Sequence, residues 1–163
     1  MSNEENHSGK PMSLPVMVFW TGLFGGIFWA IIGFLSYLFN FTEIPPYVIL
    51  DPLSLGSLKN QWVGTFISII LFGIFSIAAA FVYYGLMKNF TRIWFGIGYG
   101  LLLFLLVFFI LNPLFPGMKP VFDLSSDTII TSICIYILYG LFVGYSISYE
   151  YQNQYVQKKE AAS

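Results

Sequence analysis

The chain has 163 residues, 57% hydrophobic and only 9% charged, with a formal net charge of -1. A soluble domain carries about a quarter charged residues, and so short a chain still needs a wetted surface, which makes lipid the better solvent here. Seven scattered Lys and Arg give no basic patch for nucleic acid, and a single Cys134 and single His7 exclude an internal disulfide and any site needing several Cys or His ligands.

Taken in chain order, residues 1–13 form a short polar tail expected to be disordered. The apolar run over 14–39 is longer than the core of a signal peptide and no small-residue cleavage pattern follows it, so it reads as an uncleaved span. Ser13 stands before it as a helix cap, with Pro15 in the opening turn where a missing N–H costs nothing. An external loop over 40–61, rich in proline, carries Glu43 and Asp51. The second span covers 62–86 with Asn60 as its cap, a cytoplasmic turn covers 87–92, and the third span covers 93–111 with Thr91 as its cap. Asn112-Pro113 is read as the helix stop, because a residue before proline avoids helical geometry. A second external loop over 112–127 carries Asp123 and Asp127, and Ser126 or Asp127 caps the fourth span, 128–149. Residues 14–151 form one membrane domain; the cytoplasmic tail 152–163 is able to prolong the last helix.

None of the four runs contains Asp, Glu, Lys, Arg or His. About 20 helical residues cross a hydrocarbon core about 30 Å thick. Barrel strands would alternate apolar and polar residues, whereas LLLFLLVFFIL at 101–111 does not alternate. The predicted fold class is all-α, a polytopic transmembrane four-helix bundle. Lys10, Lys88, Arg92, Lys158 and Lys159 flank one side of the spans against Lys59 and Lys119 on the other, which predicts cytoplasmic termini. Trp62, Trp94, Tyr145, Tyr149 and Tyr151 sit at span ends, where head-group belts place aromatic rings.

Small residues recur at four-residue spacing: Gly22 and Gly26, then Gly96 and Gly100, then Gly140 and Gly144. Such stripes let helix backbones approach in lipid; intramolecular packing is the plain reading and a homodimer through an unused stripe the sharper one. Membrane-embedded serines and threonines are expected as helix–helix glue, with a polar path as the rival reading. The lack of intramembrane ionisable groups argues against proton relays and ion-coupled pumps. No nucleophile–histidine pair is available in a span, so no catalytic residues, cofactor or metal ligands are assigned. The external carboxylates Glu43, Asp51, Asp123 and Asp127 have the chemistry to meet a hard cation, although loop solvation and capping are the commoner roles.

FNFTEIPP (39–46), LNPLFPG (111–117), DTIITSICIYILYG (127–140) and VGYSISYEY (143–151), in that order, resemble the YqhR family of integral membrane proteins of spore-forming Gram-positive bacteria. The resemblance implies a bacterial cytoplasmic membrane and supplies no catalytic residues. Asn40, Glu43, Asp51, Asn112 and Asp123 are the loop residues expected to contact a partner. The expectation is a non-enzymatic accessory or assembly subunit acting through membrane partners and the lipid bilayer. The alternative is an oligomeric permeation protein for a small solute or ion.

Overall fold

In a computed structural model of the chain, the described residues are 13–53, 62–87, 90, 92–115 and 117–161. They are predominantly helical, with no strands among them, and include four helices long and apolar enough to cross a membrane. The architecture is a membrane-spanning bundle of α1 (Leu14–Leu38), α2 (Trp62–Met87), α3 (Ile93–Leu105) and α4 (Ser126–Ala161). The proposed caps Asn60 and Thr91, and the basic residues Lys10, Lys59 and Lys88, lie outside the described residues.

α1 opens at Ser13 with proline in its first turn, and the Ser13 side chain makes no capping bond. Its other end closes in a Schellman turn. The Asn40 amide donates to the Tyr37 carbonyl at 3.1 Å and the Phe41 amide to the Ser36 carbonyl at 2.8 Å. Asn40 carries the φ of 59° that this turn requires, a left-handed conformation that asparagine tolerates better than most residues. The loop then forms a 3-10 stretch over Pro46–Leu53, in which Val48, Ile49 and Leu50 are buried.

The third span departs from the expected stop at Asn112-Pro113. α3 widens into a π-helix over Leu106–Leu111 and then tightens into a 3-10 turn over Asn112–Leu114. Asn112 keeps helical angles, φ -49° and ψ -44°, despite preceding proline. Pro113 has no N–H to give the preceding turn, and its ring crowds a carbonyl there, so a change of helical winding is the expected response. Stacking of Phe104 on Phe108, with Tyr136 of α4 edge-on to both rings, holds the widened segment against its neighbour.

The cap of α4 is Ser125, one residue before the expected pair. Its hydroxyl accepts from the Thr128 amide at 3.3 Å, and its carbonyl accepts from the Ile129 amide at 3.1 Å. With 36 residues α4 is about 54 Å long at 1.5 Å per residue, well beyond the hydrocarbon thickness. Its far end therefore projects from the bilayer.

Two hairpins, α1–α2 and α3–α4, pack through glycines and meet each other chiefly where α4 lies along α1. One buried cluster sits toward the end of the bundle where α1 begins: Val18, Ala80, Tyr83, Tyr99, Tyr139, Val143 and Ile147. A second, of Phe104, Phe108 and Leu124 with Ile44, Met118 and Val121 against it, binds the two loops to the opposite end of α3 and α4.

Candidate functional site

The described parts of both long loops fold onto the bundle as one cap. Glu43, from the first loop, donates its backbone N–H to the Thr128 hydroxyl of α4 at 2.9 Å. Thr128 is fully buried, and its hydroxyl lies 2.9 Å from that of Ser125. Because Thr128 accepts from Glu43, its own proton is free to go to Ser125, which closes the helix cap. The Glu43 carboxylate also accepts from Lys119 of the second loop, at 2.9 Å. That hydrogen bond holds the Glu43 carboxyl below its ordinary value and the Lys119 ammonium above its own. Asn112 donates its side-chain amide to the Lys119 carbonyl at 3.1 Å, fixing the second loop to the end of the third span. A small cavity of about 70 Å³ lies between the loops, bounded by Glu43, Ile44, Pro45, Met118 and Lys119 among others.

Of the five loop residues expected to contact a partner, Glu43 and Asn112 thus join this cap. Asn40 shapes the turn after α1, and Asp123 is exposed in the 3-10 turn Val121–Asp123. Asp51 lies in the 3-10 stretch of the first loop, with its side chain outside the described residues. Among the described residues, no group of three or more His, Cys, Asp or Glu is placed to hold a metal ion. Sequence reasoning missed Ser125, Thr128 and Lys119. Thr128 is 85 residues from the amide it binds, and no local pattern announces such a contact.

A family model described as "Conserved membrane protein YqhR" matches residues 1–162. The "Uncharacterized protein YqhR" of Bacillus subtilis (strain 168) is 54% identical over 153 residues, covering 93% of this chain and 86% of the relative. The chain belongs to the YqhR family. No solved structure matches it. As a YqhR-family member it is a conserved membrane protein, and its four apolar helices make it multi-pass.

The six glycines singled out in the sequence all lie at seams inside the bundle. A Cβ on Gly22 would fall 2.7 Å from the Ile77 Cα, and one on Gly26 2.9 Å from the Gly73 Cα, both in α2. On Gly100 it would fall 2.7 Å from the Ile137 Cα, and on Gly140 2.6 Å from the Gly100 Cα. Gly96 and Gly144 face each other across the same α3–α4 seam. These backbones touch, as small-residue packing in lipid allows.

Buried hydroxyls aim at main-chain oxygens. Ser68 donates to the Gly64 carbonyl at 2.7 Å, Ser76 to Gly22 at 2.7 Å, and Tyr99 to Ala79 at 2.6 Å. Tyr139 reaches the Ser76 carbonyl at 3.1 Å, and Ser148 reaches the Phe90 carbonyl at 3.0 Å. The Ser76, Tyr99 and Tyr139 bonds hold neighbouring helices together while Ser68 bonds back within α2, and hydroxyls committed in this way leave little capacity for a passing solute.

Proposed function

We propose that this chain is a non-catalytic subunit of the bacterial cytoplasmic membrane, both termini cytoplasmic, that assists or assembles a partner membrane protein through its external loop cap. The observation that carries the reading is the tie from Glu43 to both Lys119 and Thr128, which makes one ordered surface from two loops far apart in sequence. An ordered surface loses less conformational entropy on binding than a free loop, so its upkeep is of use to a protein that binds. The five-to-two division of Lys and Arg supports the orientation. Consumption of the six glycines inside the bundle favours a different chain as partner over a second copy docked through those stripes. The paired hydroxyls weigh against a polar path through a single protomer.

Affinity capture of the tagged full-length chain from native membranes tests the proposal. A partner recovered with the parent protein, and lost on Thr128→Val with Lys119→Ala while the variant still folds, is the expected result. Absence of any specific partner, together with solute flux above empty liposomes after reconstitution, overturns it in favour of permeation.

A further inference from the structure

Contacts within each hairpin differ in kind from contacts between them. Inside α3–α4, Gly100 and Gly140 bring backbone against backbone, and inside α1–α2 Gly22 does the same against Ile77, with the short Ser76 side chain at Gly26 and its hydroxyl bonded to the Gly22 carbonyl. Between the hairpins the polar links are hydroxyls. Tyr139 of α4 lies 2.6 Å from the Ser76 hydroxyl of α2, Tyr99 of α3 donates to the Ala79 carbonyl of α2, and Tyr83 of α2 lies 3.2 Å from the Ser148 hydroxyl of α4. Glycines at this junction meet rings: a Cβ on Gly25 of α1 would fall 2.9 Å from Phe142, and one on Gly144 of α4 would fall 3.0 Å from the Tyr83 hydroxyl of α2. Rings and hydroxyls turn about side-chain bonds, and interhelical hydrogen bonds in membranes are individually weak. Packed backbones have no such freedom, and shape changes in proteins run as sliding or hinging of intact packed units.

A second observation lies beside the same junction. Trp29 of α1 packs against the cluster containing Tyr83, Tyr99 and Tyr139, yet its buried indole N–H has no hydrogen-bond partner among the described residues. A buried donor without an acceptor is costly and rare in a settled interface. A different register between the hairpins is the simplest way to supply one.

We infer that the bundle consists of two rigid hairpins, α1–α2 and α3–α4, that shift against each other across a junction of tyrosine hydroxyls, with the unpartnered Trp29 N–H favouring the second register. The motion is a shear. The Glu43–Lys119 and Glu43–Thr128 ties join the hairpins at the loop end, and the α2–α3 connection joins them at the other.

Spin-label distance measurements on the full-length chain in phosphatidylethanolamine–phosphatidylglycerol nanodiscs test this. Cys134 is exposed, so the background carries Cys134→Ser. Outward-facing positions take the labels: Phe24→Cys with Phe75→Cys inside the first hairpin, Leu102→Cys with Leu138→Cys inside the second, and Phe75→Cys with Leu102→Cys across the junction. The cross-junction distribution is expected to be broader than either internal one. Tyr99→Phe with Tyr139→Phe broadens it further and leaves the internal pairs unchanged, while Trp29→Phe narrows it. Three equally narrow distributions in the parent protein overturn the inference, as does joint broadening of all three in the tyrosine variant. If the double tyrosine variant fails to fold, the parent comparison and Trp29→Phe decide.

Discussion

Gly140→Ala puts a methyl group where α3 and α4 touch. Its Cβ would lie 2.5 Å from both the Gly100 nitrogen and the Gly96 carbonyl oxygen, about 0.9 Å short of the 3.4 Å at which ordinary contact begins. All the nearest atoms are backbone, so no rotamer change relieves the clash and the helices must part. Overpacking of this kind costs about 1–3 kcal/mol. Alanine also gains about 1 kcal/mol over glycine as a helix former in water, which would blur the result for one variant alone. Gly98→Ala removes the ambiguity: Gly98 lies in α3 with nothing within 4 Å of its Cβ position, so it takes the propensity gain without the clash. The stability difference between the two variants then isolates the seam, at about 1–3 kcal/mol in favour of Gly98→Ala. Unfolding of the purified chain by dodecyl sulfate in mixed micelles, followed by tryptophan fluorescence, measures it. If Gly140→Ala is as stable as Gly98→Ala, the backbone contact across α3–α4 is wrong.

Thr128→Val keeps the shape but removes the acceptor for the Glu43 amide and the partner of Ser125, and should cost about 1–3 kcal/mol in the same titration, with Thr128→Ser restoring most of it. Asn40→Gly should be neutral or slightly stabilising, whereas Asn40→Ala should lose about 1 kcal/mol, because only the φ at this turn distinguishes them. The Glu43–Lys119 pair sets a pH window. Glu43 is lowered from 4.5, so its contribution is present above that value and fades as pH falls through the lowered one. Lys119 is raised from 10.5, so its contribution is present below that value and is lost as pH climbs through the raised one. Both side chains are well exposed, so the unfolding midpoint should change only slightly on the acid limb, and Glu43→Gln should abolish that change while leaving neutral stability nearly intact.

The four spans were legible because an uncharged run of sufficient length has one solution in lipid, and the bundle class followed from it. The end of the third span was not. Pro113 signalled an interruption, but whether a chain stops or rewinds depends on what braces it, here Phe108 against Tyr136. At the start of α4, Ser125, Ser126 and Asp127 offer interchangeable capping chemistry, and the choice of Ser125 depends on the angle at which the loop arrives. Small-residue spacing showed which faces allow close approach, yet not that Gly140 would meet Gly100 while Gly25 would meet a ring. The cap was least legible of all, since Glu43, Lys119 and Thr128 belong to segments joined only by the folded bundle.

The division of polar groups within the molecule bears on where its activity resides. The Ser76, Tyr99 and Tyr139 hydroxyls end on carbonyls of neighbouring helices, so they serve the bundle's own cohesion. The Glu43–Lys119 ion pair lies in the cap, where water screens it and its contribution to stability is small. A pair worth so little for folding, and bridging two loops, is better explained by the surface it shapes. Ser68→Ala with Ser76→Ala should therefore reduce stability yet leave partner capture unchanged per folded molecule. Glu43→Gln with Lys119→Ala should do the reverse. Loss of capture in the serine variant alone would place the activity among the helices and refute the assignment to the cap.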